Sequence, residues 1–404
     1  MINGSYPFRN APIEDDFSYY TASFSPTARY SFFGVFDGHN GGSTARKLAA
    51  ELSEVVCLHL ADLYSKYASD SGEGEPLRNP GEAPDPRPPS EGIHTAIKKG
   101  FLELDDVMVN ESAKRALDLN DEDYQTLNQG KELPESTDKP SSETPLSRSQ
   151  KMKMLAESYA GSCAILGIYD NAERALHVAL TGDLRAVLGR RVIAPKQEDQ
   201  EDGDGSEKNQ SKNHEPRYIY EVHQLSFDQN ASNPKEAERL TALHPNEPEL
   251  FKNDRVLGWG PSRCFGDGVM KWSLAVQNRL WAEYLGDRPR PESYKTPPYF
   301  TAEPEVTTFQ KVRRGDFLVL ASDGLWDILT NEEVVGLVGK WVEQWGRKER
   351  VKVDGEEMEV MVPRKIYPGT TFGFSRKRRD KVDTPRSQMK RQAFHARSPF
   401  LSNL

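Results

Sequence analysis

The chain has 404 residues, 36% hydrophobic and 28% charged, which is enough for one large domain or two of ordinary size. No stretch approaches the roughly 18–20 consecutive apolar residues that cross a bilayer as a helix, so a helical membrane span is excluded. Three cysteines (Cys57, Cys163 and Cys264) are too few and too scattered for a disulfide framework or a zinc cluster, and read as small buried thiols.

The net charge of −9 hides an asymmetry. Residues 363–404 hold eleven Lys and Arg against two acids, a balance of +9 that leaves −18 on the rest of the chain. An acidic body argues against nucleic acid as a partner. At the other end, Met1-Ile2-Asn3-Gly4-Ser5 runs straight into polar sequence, without the basic and apolar regions of a secretory signal or an Arg-rich transit segment. The chain is expected to open inside a domain.

In chain order, Phe17 to Phe24 reads as a short strand and Tyr30 to Phe36 as a stronger one. Gly42 to Lys66 is helical, with Ala45, Leu48, Ala49, Leu52, Val55 and Val56 recurring at helical spacing. Residues 66–90 are dense in Pro, Gly, Ser and Glu. A second helical pattern covers His94 to Leu117, and the polar stretch 118–149 follows with three prolines. Strands are expected at Ser162 to Tyr169, Ala175 to Thr181 and Arg185 to Leu188. Residues 195–216 include Gln-Glu-Asp-Gln-Glu-Asp-Gly-Asp-Gly and nothing strongly apolar. All three polar segments (66–90, 118–149, 195–216) read as long loops or disordered insertions, unable to bury enough surface to offset their ordering entropy. Beyond them lie a helix at Pro234 to Leu243, a strand at Phe317 to Ala321 and a helix at Asn331 to Trp345. Thr330 offers that last helix an oxygen cap, and Glu332 and Glu333 put acids in its first turn. Strands cluster and helices flank them, which favours antiparallel sheets with outer helices.

Acids recur at strand ends. Asp37 follows Ser31–Phe36, Asp183 follows Leu176–Gly182, Asp323 follows Asp316–Ser322, and Glu14-Asp15 precedes Phe17–Phe24. Any one Asp-Gly after a strand is ordinarily a turn. Several carboxylates brought together would repel one another and lose hydration unless a cation sat among them, and oxygen ligands suit Mg²⁺ or Mn²⁺ better than zinc. His39 follows Asp37 closely enough to protonate a leaving alkoxide, and Gly38 lets its carbonyl approach an ion.

The run Phe33-Gly34-Val35-Phe36-Asp37-Gly38-His39-Asn40-Gly41-Gly42 closely resembles the signature of the metal-dependent serine/threonine phosphatases of type 2C. Further segments are similar to that family's motifs and stand in its order. They are Ala160-Gly161-Ser162-Cys163-Ala164, Thr181-Gly182-Asp183-Leu184-Arg185-Ala186-Val187, Arg263-Cys264-Phe265-Gly266-Asp267 and Leu320-Ala321-Ser322-Asp323-Gly324-Leu325-Trp326-Asp327. Leu240-Thr241-Ala242-Leu243-His244-Pro245 corresponds to another, with Leu in place of Asp. The segments Asn10 to Asp15, Lys271 to Ser273 and Tyr294 to Thr307 resemble the branch that acts on mitochondrial pyruvate dehydrogenase.

The resemblance implies an α+β fold, a central antiparallel β-sandwich flanked by helices on both sides, with a catalytic domain at 1–350. It implies two Mg²⁺ or Mn²⁺ ions and a weaker third. Asp37 would bridge two ions, Gly38 would offer its carbonyl, Glu14 and Asp323 would each bind one, Asp15 would hold metal-bound water, and Asp183 would serve the third. His39 would be the general acid in hydrolysis of phosphoserine or phosphothreonine by metal-activated water. Asn10 stands where most of the class places a phosphate-gripping Arg. The implied partner is a phosphoprotein such as the pyruvate dehydrogenase complex, and the implied compartment is the mitochondrial matrix, with the cytoplasm as the alternative. Asp267 and Asp327 are expected to support the fold or to stand behind the metal ligands without binding an ion themselves, and Ser162, Arg185, His244 and Arg263 to be structural. One departure bears on activity: the family's last metal-binding Asp and final strands find no counterpart after Trp345. Residues 351–404 therefore read as a divergent, disordered basic tail, and the other functional reading is an impaired relative that binds a phosphoprotein without turnover.

Overall fold

The computed structural model describes residues 13–24, 28–70, 87–133, 146–194, 218–289, 294–353 and 356–362. In chain order the elements begin with β1 (Asp16–Ser23), β2 (Arg29–His39), α1 (Ser43–Asp70) and α2 (Ser90–Asp106). A wide helical turn at Val107–Glu111 joins α2 to α3 (Ser112–Ala116), and α4 (Asp121–Asn128) and α5 (Arg148–Tyr159) follow. Next come β3 (Gly161–Asp170), β4 (Ala175–Thr181), β5 (Arg185–Ile193), β6 (Tyr218–Gln224) and α6 (Pro234–Leu243). The short strands β7 (Phe251–Lys252), β8 (Arg255–Val256) and β9 (Phe265–Gly266) precede α7 (Leu274–Tyr284) and β10 (Glu305–Phe309). The described chain closes with β11 (Phe317–Ala321), α8 (Asp323–Trp326), α9 (Asn331–Trp345), β12 (Arg347–Val353) and β13 (Glu356–Val362). This is an α+β architecture of antiparallel sheets and helices.

Two units divide the chain: 1–186 with 225–311 and 320–323, and 187–224 with 312–319 and 324–404. The first is built on an antiparallel sheet in the order β1-β2-β3-β4-β10, with β9 pairing the start of β3. Because strand side chains alternate between faces, Tyr30, Phe32 and Phe36 of β2 share one face. They form a single core with Leu166 and Ile168 of β3, Leu48, Leu52 and Val56 of α1, and Ile97 and Phe101 of α2. Each large side chain in such a core contributes about 1.5–3 kcal/mol. At Gly100 a Cβ would sit 2.9 Å from the Val56 side chain, so the missing side chain is what lets α2 lie this close to α1.

A separate cluster in the same unit corrects the reading of 118–149 as a loop. Residues 121–128 are helical: Asn120 caps α4 by accepting from the Asp123 N–H at 2.9 Å, and Asp121, Glu122 and Asp123 lie in the first turn. Leu119, Tyr124 and Leu127 are buried with Leu155, Trp272, Val276 and Leu280. Two buried apolar side chains three residues apart on α4, with Leu119 just before its cap, suffice to dock a two-turn helix in an otherwise polar segment. Likewise α1 runs on to Asp70, into the expected 66–90 insertion. Residues 71–86, 134–145, 195–217 and 363–404 lie outside those described.

In the second unit, β5 is flanked by β6 and β11. Arg190 forks onto Asp316 at 3.0 and 2.6 Å, and the Tyr220 ring meets Phe317 at 5.5 Å. Helix α9 starts at the expected place: Thr330 Oγ1 accepts from Glu333 N, while the Glu333 carboxylate accepts from Thr330 N. Past α9, where the sequence is read as tail from residue 351, β12 and β13 pair in register from Arg347↔Val362 to Val353↔Glu356. Val360, Met361 and Val362 are buried, and Lys348 pairs with Glu359 at 2.9 Å across the hairpin. The strand signal is hidden because charged residues alternate with the valines. Among the described residues no helix is long and apolar enough to cross a membrane.

Candidate acid-base and cation site

The site lies where β2 and β3 end side by side, with Asp37 opposite Cys163, Gly38 opposite Ser162 and His39 opposite Gly161. Alternation sends Asp37 and His39 to the face opposite Phe36. The segment before β1 crosses at Gly38, where a Cβ would stand 2.4 Å from the Glu14 carbonyl oxygen, so no other residue fits without moving the backbone. The Glu14 carboxylate accepts from the Gly41 N–H at 2.8 Å and pins the turn after β2, in which Asn40 (φ 58°) and Gly41 (φ 111°) are left-handed.

Four aspartates crowd this end of the sheet. Burial pushes the Asp37 carboxyl up to about 8, and the charges of Asp15, Asp323 and Asp183 add to the effect. Asp15 is raised mainly by burial, while hydrogen bonds from the Asp37 carboxyl and the Gly38 N–H pull the other way. Two carboxyl groups in direct contact can share a proton but cannot both ionise cheaply. Asp183 is also raised by burial, although the Cys163 thiol donates to its Oδ1 at 3.3 Å.

His39 Nε2 lies 2.6 Å from Oδ2 of Asp267, a residue with no exposed surface. Burial opposes charge on this ring, but the Asp267 carboxylate, with Asp37 and Asp183 beyond it, outweighs that and raises the imidazole above its usual value. The Trp259 ring stands 5.9 Å from the imidazole. Around the site, Arg185 forks onto Asp228 at 2.8 and 2.5 Å. Arg263 and Arg239 both bind buried Glu236; burial resists its ionisation, yet their hydrogen bonds hold it down at about 2.

The structure thus brings Asp15, Asp183, Asp323 and His39 within electrostatic reach of Asp37, with Glu14 adjacent to Asp15. Asn10 lies outside the described residues. Among the described residues no three His, Cys, Asp or Glu side chains already stand as a cage for a metal ion. The donor set nonetheless fits a hard divalent cation, since such an ion takes oxygen ligands and displaces the protons that these buried carboxyl groups otherwise hold. The sequence places Asp267 behind the ligands or in the fold, but does not show its contact with His39. Its only local signal is the Gly266-Asp267 pair, which reads as a turn.

The family model for protein phosphatase 2C matches residues 96–354. The chain belongs to the protein phosphatase 2C family. The matched span begins after Asp37-Gly38-His39, but alignments with relatives extend further. A protein phosphatase 2C homolog of Schizosaccharomyces pombe is 32% identical over 83% of this chain and 61% of its own length. The mitochondrial [pyruvate dehydrogenase [acetyl-transferring]]-phosphatase 1 of Saccharomyces cerevisiae is 32% identical over 78% of this chain and 44% of its own length. The human protein of that name is 30% identical over 93% and 66%. The chain therefore spans less than two thirds of the length of these relatives.

Proposed function

We propose that this chain is a divalent-cation-dependent protein serine/threonine phosphatase of the pyruvate dehydrogenase phosphatase kind. The observation that carries the proposal is Asp37, a carboxyl held protonated up to about 8 by burial and three neighbouring aspartates, two residues from a histidine. Asp15, Asp37, Asp183 and Asp323, with Glu14 and the Gly38 carbonyl, are the groups that would hold Mg²⁺ or Mn²⁺. Such ions supply positive charge that neutralises a phosphate ester and makes water nucleophilic at neutral pH.

The remaining roles fall to the protein. His39 donates a proton to the departing serine or threonine oxygen, which leaves poorly as a bare alkoxide. Asn10 is the proposed uncharged phosphate contact, so phosphate affinity depends more on the cations than on a side-chain charge. The substrate proposed is a phosphoserine of a mitochondrial dehydrogenase subunit and the compartment the mitochondrial matrix; the names of the two phosphatase relatives support pyruvate dehydrogenase and the mitochondrion.

The test is phosphate release from a phosphoserine peptide of pyruvate dehydrogenase with Mn²⁺, with Mg²⁺ and with EDTA. Turnover that requires the cation and disappears in Asp37→Asn supports the proposal. A folded protein that binds the peptide but releases no phosphate with either ion refutes it.

A further inference from the structure

Buried carboxylates that serve only to hold a fold are ordinarily satisfied on both oxygens. Asp267 is not. It has no exposed surface, and its Oδ1 has no protein donor. Its Oδ2 takes two, the His39 ring at 2.6 Å and the Cys264 thiol at 3.0 Å. A buried carboxyl group so sparsely paired costs stability, and its one strong contact is to an imidazole.

The backbone is arranged around that contact. Asp267 sits in the left-handed region at φ 46°, directly after left-handed Gly266 at φ 69°. Its N–H donates to the Ala160 carbonyl at 3.0 Å, and its own carbonyl accepts from Met270 at 2.8 Å, fixing the residue at both ends. On the facing strand, a Cβ at Gly161 would stand 2.2 Å from His39 Nε2 and 2.3 Å from Asp267 Oδ2. Only glycine leaves room for the histidine and the aspartate to meet.

We infer that Asp267 is a positioning residue for His39, accepting its Nε2–H so that the ring is held in one orientation with Nδ1 as the nitrogen that faces the departing oxygen. An imidazole turning freely in a half-buried pocket would present either nitrogen. One hydrogen bond from a carboxylate fixed at both ends of its own peptide removes that choice. This inference rests on the acid role proposed for His39, and it names how the sheet end keeps that acid aimed.

Two variants and two substrates test it. Asp267→Gly removes the acceptor without straining a left-handed backbone, while Asp267→Asn keeps an oxygen for the His39 N–H. A phosphoserine peptide needs its leaving oxygen protonated; p-nitrophenyl phosphate releases a phenolate stable enough to depart unaided. With Mn²⁺ present, Asp267→Gly is expected to lower kcat on the peptide about 10- to 100-fold, leave KM and p-nitrophenyl phosphate turnover little changed, and be largely rescued in Asp267→Asn. Equal losses on both substrates, or none on either, overturn the inference.

A second readout does not depend on activity. In ¹⁵N spectra of the histidine rings, assigned by the loss of one set in His39→Gln, the wild type should show His39 with its proton on Nε2, and Asp267→Gly should show an averaged ring. A wild-type ring with bare Nε2, or an unchanged spectrum in Asp267→Gly, overturns the inference. Should the wild type turn over neither substrate, the phosphatase reading fails while the spectra still decide the orientation.

Discussion

Asp37→Asn separates the electrostatic cost of the site from its use. In the cation-free protein the Asp37 carboxyl titrates at about 8 instead of its ordinary 3.8. A raised acid favours the folded state while it is protonated in both states. Its contribution is complete below pH 3.8 and is lost as pH rises through about 8, because the unfolded chain releases the proton first. Each pH unit in that window costs the folded state about 1.4 kcal/mol at most. From pH 5 to 7 the ceiling is therefore about 3 kcal/mol, shared in part with Asp15. Asparagine removes the ionisation, so in EDTA at pH 7 the variant should melt several degrees above wild type, at roughly 2–4 °C per kcal/mol, and the gap should close toward pH 4. Adding Mn²⁺ should close most of the gap: wild type gains about 3 kcal/mol at a hundredfold excess over its dissociation constant, and the variant gains little. Thermal melts at pH 4, 5, 6 and 7, with EDTA and with Mn²⁺, measure all of this. If Asp37→Asn melts below wild type in EDTA at pH 7, or the gap does not change with pH, the aspartates are not crowded as described.

Other outcomes follow from individual contacts. Gly38→Ala should abolish Mn²⁺-dependent turnover, because its Cβ would press on the Glu14 carbonyl at 2.4 Å; activity assays on folded variant check it. His177 on β4 is buried opposite Thr308 of the neighbouring β10, where its Nδ1 meets Thr308 Oγ1 at 2.8 Å and His94 Nε2 meets the same oxygen at 2.7 Å. Burial first, then the His94 charge, lowers it to about 4 despite Asp170, so its neutral form carries stability that is complete above pH 6.5 and lost as pH falls toward 4. Comparing His177→Gln with wild type should reveal a difference of about 3 kcal/mol growing across that window. Glu236→Ala strands Arg263 and Arg239 against each other and should cost about 3–5 kcal/mol in denaturant unfolding. Tyr124→Ala should cost about 3–5 kcal/mol if α4 is docked as described, and almost nothing if 118–149 were a loop.

The pattern of apolar residues was sufficient for the larger elements. Ala175–Thr181, Pro234–Leu243, Phe317–Ala321 and Asn331–Trp345 are read to the residue, because strands buried on both faces are continuous apolar runs and because caps such as Thr330 mark helix starts locally. Where the pattern was weak it misled: α4 rests on two buried apolar residues of its own in a polar stretch, and β12 and β13 alternate valine with charge. Those elements exist because of what packs on them, which no local window contains.

Local patterns are enough to place acids at the ends of strands and His39 directly after Asp37-Gly38. Distances along a chain say nothing about which strand ends share a neighbourhood, so only the fold decided that Asp15, Asp183 and Asp323 raise the proton affinity of Asp37. The same holds for a residue 228 positions away in sequence, Asp267, which reaches His39 because β9 pairs with β3 and Gly161 leaves the space where they meet.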